Sequence, residues 1–170
     1  MDSSQFTVAL LVANHFGVLT RVSGLFARRG FNIDSLTVGA TQDARFSRMT
    51  ITARGDDYIR RQIVRQLEKL EDVKTVQLMD DEKTVLRALM IVKLALVPGK
   101  LSEIVEAANT FRASVIDLSP DSVLIEVTGA PDKLQAFLEY AKSYGIIEIS
   151  STGPTAIGRS SYCLGGEAKP

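Results

Sequence analysis

Apolar residues recur along the chain with two different periods, one typical of strands and one typical of helices. Residues 5–13 form a continuous apolar run of strand length. In residues 18–26 the apolar positions fall three or four residues apart, which places them on one face of a helix. Gly30 stands where a helix C-cap is expected, directly after Arg28 and Arg29, whose charges suit the negative end of the helix dipole. The chain is therefore predicted to begin with a strand followed by an amphipathic helix.

The predicted order of elements is strand, helix, strand, strand, helix, strand, and this order occurs twice. The first series ends at residue 79, a charged linker occupies residues 80–84, and the second series fills residues 85–155. Residues 156–170 remain as a polar tail. Because this order is the split βαβ, or ferredoxin-like, arrangement, we predict an α+β protein with two βαββαβ domains. Domains this small bury limited cores and leave sheet edges open, so we expect at least a homodimer.

Composition and charge exclude several classes of function. Of 170 residues, 45% are hydrophobic and 24% are charged, which is typical of a globular protein. The twenty basic and twenty acidic residues cancel, so the chain lacks the basic excess of a nucleic-acid-binding surface. The first residues carry no basic segment, and their apolar run is too short to cross a membrane. We therefore expect a cytoplasmic protein that binds neither nucleic acid nor membrane.

The residues needed for catalysis or metal binding are missing from the sequence pattern. No phosphate-binding loop, dinucleotide fingerprint or nucleophile elbow is present. The sole histidine, His15, has no acid or nucleophile near it in the sequence, and a solvent-facing position is expected for it. The sole cysteine, Cys163, excludes an intramolecular disulfide and a thiolate cluster for zinc. We expect no catalytic residues, no metal and no cofactor of the protein's own.

The segment between the first strand and the first helix has the features of an amino-acid site. Backbone N–H groups at the start of a helix are unpaired and lie at the positive end of the dipole, which suits a carboxylate. Gly17 has no Cβ to obstruct a ligand, and the amide of Asn14 can accept from an ammonium group. From the residues alone, Asn14 is equally explained as a turn or helix cap, and Gly17 by ordinary loop geometry.

Two stretches in this region carry a resemblance to a known family. The run "NHFGVLTRV", followed by "GLFARRGFNIDSL", strongly resembles the ACT domain of the regulatory small subunit of acetohydroxyacid synthase, also called acetolactate synthase. "SRMTI" at residues 47–51 and "IDLSPDSVLIEVTG" at residues 116–129 are also similar to that family. The resemblance covers about residues 5–155.

This resemblance implies a regulatory subunit without catalytic activity, which activates a separate catalytic large subunit. That partner would carry thiamin diphosphate, magnesium and FAD, and the complex would be inhibited by valine, an end product of branched-chain amino-acid biosynthesis. The resemblance also implies that valine binds where two ACT domains meet. The implied site residues are Asn14, Gly17, Val18 and Leu19 of one chain and Asn32 and Ile33 of the other.

The second repeat is predicted to lack this site. Aligning the repeats places Val115 where Asn32 stands, and Lys100 is predicted to replace the glycine that permits close approach. We expect the second domain to dimerise, to contact the catalytic subunit or to transmit the effector signal.

The sequence is also compatible with other functions. A stand-alone amino-acid-sensing ACT protein could regulate another enzyme or transcription. A small ferredoxin-like enzyme would need an acid, base or metal set that the sequence does not reveal. One methylene changes binding by only about 1–3 kcal/mol, so the sequence does not separate valine from leucine or isoleucine as the effector.

Overall fold

The computed structural model describes residues 4–167 and divides them into two compact units. Unit 1 contains the chain up to Val85 together with the segment from Pro154 onward, and unit 2 contains Leu86–Gly153. Each unit is built on four antiparallel strands with two helices packed on one face. This confirms the predicted α+β, ferredoxin-like fold class.

Unit 1 follows the predicted order of elements. They are β1 (Ser4–Ala13), α1 (Val18–Arg29), β2 (Ile33–Ala40), β3 (Phe46–Gly55), α2 (Asp57–Leu67) and β4 (Val73–Leu78). The strands lie side by side in the order β2-β3-β1-β4, so β2 and β4 form the edges of this sheet. The central strands β1 and β3 pair from Ser4 opposite Gly55 to Ala13 opposite Phe46.

A glycine flanks helix α1 at each end. Gly17 is its N-cap, and Gly30 stands at its C-terminal end; both have left-handed backbone conformations. At the C-terminal end the Gly30 amide donates to Ala27 O at 3.2 Å, and the Phe31 amide donates to Phe26 O at 3.0 Å. These bonds form a Schellman motif, which satisfies carbonyl groups that the helix end would otherwise leave unpaired.

The core of unit 1 fixes α1 against the sheet. Its strand members include Val8, Leu10, Val12, Met49 and Ile51, and its helix members include Val18, Val22, Phe26, Ile63 and Leu67, each at most 3% exposed. Complete burial of one such side chain contributes about 1.5–3 kcal/mol to stability. Since α1 contributes residues four apart to this core, the start of the helix is held in a defined position above the end of β1.

Unit 2 repeats the arrangement. Its elements are β5 (Thr84–Ala95), which starts in unit 1, then α3 (Leu101–Thr110), β6 (Ser114–Leu118), β7 (Ser122–Gly129), α4 (Pro131–Ala141) and β8 (Ile146–Ser151). The strand order is β6-β7-β5-β8, the equivalent of the order in unit 1. A separate core contains Val92, Ile104, Ile125 and Phe137, and Phe111 meets Phe137 edge to face with ring centroids 5.4 Å apart.

The segment after Gly153 covers the face of the unit 1 sheet that points away from the helices. It contains β9 (Thr155–Gly158) and a short hairpin of β10 (Tyr162–Cys163) and β11 (Gly166–Glu167). The Ala156 amide donates to Thr50 Oγ1 at 3.2 Å, and the Gly165 amide donates to Gln77 Oε1 at 3.0 Å. Thr50 is only 1% exposed as a result.

The predicted domain boundaries therefore differ from the two compact units in the placement of the C-terminal segment. Residues 156–170 were expected to form a polar tail outside both domains, whereas the structure groups the described part of this segment with unit 1. Residues 168–170 of the predicted tail lie outside the described range. The physical reason is that the buried Thr50 hydroxyl and the Gln77 side-chain amide accept hydrogen bonds from the backbone of the segment.

Candidate functional site

The loop of residues 14–17 joins the end of β1 to the start of α1 and is held from two sides. The Asn14 amide donates to Arg45 O at 2.7 Å, and Asn14 Nδ2 donates to Ala44 O at 3.0 Å, both in the turn between β2 and β3. On the other side, the Ala13 amide donates to Asp72 O at 2.8 Å, just before β4. The Asn14 side chain is exposed and its Oδ1 atom makes no hydrogen bond within residues 4–167, so it can accept one from a ligand.

Gly17 gives the helix start an open, positively polarised surface. Its φ of +87° lies in the left-handed region that glycine adopts without a steric penalty. It provides no side-chain cap, and the first turn of α1 contains no acidic residue. The first N–H groups of the helix are therefore available to an anion, and no carboxylate of the helix itself competes for them.

Val18 and Leu19 differ in what they can offer to a ligand. The Val18 side chain is 3% exposed and belongs to the core of unit 1, so only its backbone can contact a molecule bound at the loop. The Leu19 side chain is 47% exposed. Leu19 can therefore provide apolar contact at the surface, and Val18 serves to fix the helix.

Asn32 and Ile33 lie at the opposite end of the sheet from the loop. Ala13 is opposite Phe46 on β3, whereas Ile33 is opposite Ala53, seven residues further along the same strand. At ~3.3 Å per residue these positions are about 23 Å apart. One chain therefore does not bring the two halves of the predicted site together.

Asn32 and Ile33 form the second half of the predicted site, and their side chains are at least partly accessible to solvent. Asn32 is exposed, and its Nδ2 atom donates to Asp34 Oδ1 at 3.2 Å. Ile33 is half-buried and packs against the core of unit 1. The site predicted from the sequence is thus divided between two accessible surfaces of the unit.

Two further side chains, those of His15 and Arg21, contact Asp72 beside the loop. The sequence pattern alone does not connect these contacts with the site. His15 Nε2 lies 3.0 Å from Asp72 Oδ1, and Arg21 Nε donates to Asp72 Oδ2 at 2.5 Å. His15 is exposed, as predicted, and its acidic partner is 57 residues away in sequence, too far for the local sequence pattern to indicate it. The available signal for Arg21 was its spacing: four residues after Gly17, it lies on the same face of α1.

The equivalent loop of unit 2 is similar in backbone and different in charge. The prediction that Lys100 replaces the glycine was wrong, because Gly99 has φ +86° and Lys100 follows it as the N-cap of α3. Four residues after Gly99 stands Glu103, whose carboxylate binds Lys100 Nζ at 2.7 Å. A carboxylate in the first turn disfavours a second carboxylate there, so this loop is poorly suited to the same ligand.

The described part of the chain lacks the features of two other kinds of site. Within residues 4–167, no three His, Cys, Asp or Glu side chains are grouped so that they could hold a metal ion. None of the helices in this part of the chain is long and apolar enough to cross a membrane.

Comparison with known proteins gives one consistent result over both units. Residues 8–75 match the family model described as the AHAS small subunit-like ACT domain, in which AHAS stands for acetohydroxyacid synthase. Residues 87–160 match the family model for the small subunit of acetolactate synthase.

Relatives and a solved structure match over nearly the whole length. A probable acetolactate synthase small subunit of Methanothermobacter thermautotrophicus is 46% identical over 96% of this chain and 98% of its own length. One from Archaeoglobus fulgidus is 49% identical over 90% of this chain and 96% of its own length. The crystal structure of the acetolactate synthase small subunit from Thermotoga maritima has a TM-score of 0.84 at 38% identity, and the match covers 92% of this chain and 98% of that one. The chain therefore belongs to the acetolactate synthase small-subunit family.

Proposed function

We propose that this chain activates a separate catalytic subunit of acetolactate synthase and makes that enzyme sensitive to inhibition by valine. The proposal rests on the loop at Gly17, where the first helix N–H groups are unpaired and the first turn of α1 contains no acidic residue. The task of this loop is to hold a small carboxylate ligand. We assign the condensation of pyruvate with a second 2-oxoacid, and the thiamin diphosphate, magnesium and FAD that it uses, to the catalytic subunit.

The strand topology supports a valine site shared by two chains. At the edge strand β2, Ala40 is opposite Ser47, which is itself opposite Val12, so this end of β2 lies beside the loop. If two copies pair through their β2 edges in antiparallel fashion, the start of one strand meets the end of the other. Ile33 of one copy then lies at the loop end of its partner. A two-fold dimer of this kind unites the surfaces that one chain holds apart.

Within such a dimer each part of valine has a suitable contact. The helix N–H groups suit the carboxylate, and the oxygen atoms of Asn14 and Asn32 suit the ammonium group. Leu19 and Ile33 provide apolar contact for the isopropyl group, whose burial contributes ~2 kcal/mol. Charge-assisted hydrogen bonds add ~1.5–3 kcal/mol each before the costs of association. The expected dissociation constant lies between roughly micromolar and millimolar, a range suited to sensing a metabolite.

The inhibition is allosteric, because the valine site and the reaction site lie on different chains. Valine lowers activity by binding more tightly to a less active state of the complex. Linkage then requires that the catalytic subunit changes the affinity for valine by the same factor as valine changes the affinity for the catalytic subunit.

Reconstitution of the complex tests the proposed function. The purified chain is titrated into its catalytic subunit, and acetolactate formation from pyruvate is measured with and without valine. We expect the rate to rise to a plateau as the chain is added and to fall again with valine, while the chain alone forms no acetolactate. An unchanged rate at every ratio of the two proteins would contradict activation. Activation that is insensitive to valine would contradict the proposed effector role.

A further inference from the structure

The guanidinium of Arg21 lies beside Gly17 in the loop of residues 14–17, here called the effector loop. Its Nη1, Cζ and Nη2 atoms are 3.8–3.9 Å from the point where a Cβ on Gly17 would stand. That point lies at the N-cap of α1, where the proposed ligand would meet the first N–H groups of the helix. The Arg21 side chain is 52% exposed, so its outer nitrogen atoms can reach a bound molecule.

Asp72 fixes this guanidinium and leaves its outer nitrogen atoms free. Arg21 Nε donates to Asp72 Oδ2, while neither Nη1 nor Nη2 donates a hydrogen bond to any residue in the described range. The Asp72 carboxylate is itself held, with a side chain 14% exposed and Oδ1 3.0 Å from His15 Nε2. Two terminal nitrogen atoms of a planar guanidinium can bind a carboxylate in a bidentate manner.

The second unit supplies an internal comparison. Gly17 and Gly99 have nearly the same φ, yet the residue four positions later is Arg21 in unit 1 and Glu103 in unit 2. Both side chains are ion-paired: Arg21 Nε donates to Asp72, which leaves Nη1 and Nη2 to donate elsewhere, and the Glu103 carboxylate accepts from Lys100 Nζ. N–H donors for a carboxylate therefore stand at this position in unit 1, whereas the equivalent side chain of unit 2 has only acceptors.

From these observations we propose that Arg21 is a specificity-determining residue of the effector site. Its Nη1 and Nη2 atoms donate to the carboxylate of the bound amino acid, and Asp72 positions them. The inference rests on the valine site proposed above and identifies the side chain that selects an acid over a neutral analogue.

The test compares valine with valinamide, in which a neutral amide replaces the carboxylate. Both are titrated calorimetrically into the full-length chain bound to its catalytic subunit, at a pH where both amines are protonated. In the wild type we expect valine to bind roughly tenfold to hundredfold more tightly than valinamide, the range that one charge-assisted contact provides. In Arg21→Gln this preference should fall by about tenfold or more, the contribution of one such contact, and what remains is due to the helix N–H groups.

Further variants separate binding from folding. Arg21→Lys keeps the charge without the fork of donors and should retain part of the preference, whereas Asp72→Asn should reduce it by freeing the guanidinium. Arg28→Gln, in the last turn of the same helix, should leave the preference for valine unchanged.

If Arg21→Gln weakens the binding of valine and valinamide equally and retains the wild-type preference, the role of Arg21 is overturned and the valine site still stands. Absence of valine binding in the wild-type complex would instead remove the site itself and the inference with it.

Discussion

Gly17 and Gly99 occupy equivalent positions in the two units, with φ of +87° and +86°. A Cβ at Gly99 would meet no atom of residues 4–167 within 4 Å, and the nearest atoms to one at Gly17 would be those of the Arg21 guanidinium, 3.8–3.9 Å away. The two glycines therefore form a matched pair, in which the same substitution imposes the same backbone strain and only one position lies in the proposed effector site.

Gly17→Asp is expected to abolish valine inhibition, because it places a carboxylate where the ligand's carboxylate binds. Gly99→Asp should leave inhibition unchanged. Both variants should lose a similar amount of stability, about 1–2 kcal/mol from the left-handed backbone. Valine titrations of the reconstituted enzyme, together with urea unfolding of each variant, provide the comparison. Full valine sensitivity in Gly17→Asp would exclude this loop from the site.

Asn32→Ala should weaken valine binding and leave activation of the catalytic subunit intact. Its side chain is exposed, and its hydrogen bond to Asp34 joins two exposed side chains, so its removal should have little effect on the fold. Asn109→Ala, at an exposed position on α3, is a suitable control. Activation and valine affinity are measured on the same preparation. If Asn32→Ala loses activation, the residue contacts the catalytic subunit and not the effector.

Thr50→Val should lower the free energy of unfolding by about 1–3 kcal/mol, the range for leaving a buried partner unsatisfied. The hydroxyl of Thr50 accepts the Ala156 amide on the covered face of the sheet, and valine has the same shape without the acceptor. Thr128→Val, at an exposed position on β7, should change stability little. Urea denaturation of both variants tests this. Equal stability of wild type and Thr50→Val would mean that the segment after Gly153 does not depend on this bond.

Asp43 should titrate well below the usual range of a carboxyl group. Hydrogen bonds from the Arg45 side chain and backbone lower the pKa of Asp43 from 3.8 to about 2. Because the folded-state pKa is depressed, the contribution of this carboxylate to stability is present above pH 3.8 and is lost as the pH falls through about 2. In Arg45→Gln the pKa should return toward 3.8, since the largest of the lowering interactions is lost.

An NMR titration of the Asp43 side-chain carbonyl carbon measures this pKa directly. The result bears on the effector loop, because the carbonyl groups of Ala44 and Arg45 in the same turn hold Asn14. A midpoint near 3.8 in the wild type would show that the Asp43–Arg45 pair does not order the turn in solution.

The sequence contained the information for the local elements and lacked it for several contacts between distant residues. The apolar stripe of α1 and the glycine at its end predicted that helix correctly, since these signals act within one or two turns. The contact of Arg21 with Asp72 joins residues 51 positions apart and depends on how the strands are ordered. The hydrogen bond from the Ala156 amide to Thr50 Oγ1 also joins distant residues. It attaches the segment predicted to be a tail to unit 1. Long-range polar contacts of this kind leave no periodic pattern in the chain.

Each proposed valine site combines the loop of one chain with Asn32 of another, and mixing two variants tests this arrangement most directly. Asn14→Ala and Asn32→Ala are each expected to bind valine weakly as pure dimers. After unfolding and refolding together in equal amounts, half of the dimers combine the two variants, and one of their two sites contains both asparagines. Calorimetric titration should then recover about a quarter of the wild-type number of tight sites. No recovery in a mixture shown to contain mixed dimers would contradict a site that combines Asn14 of one chain with Asn32 of the other.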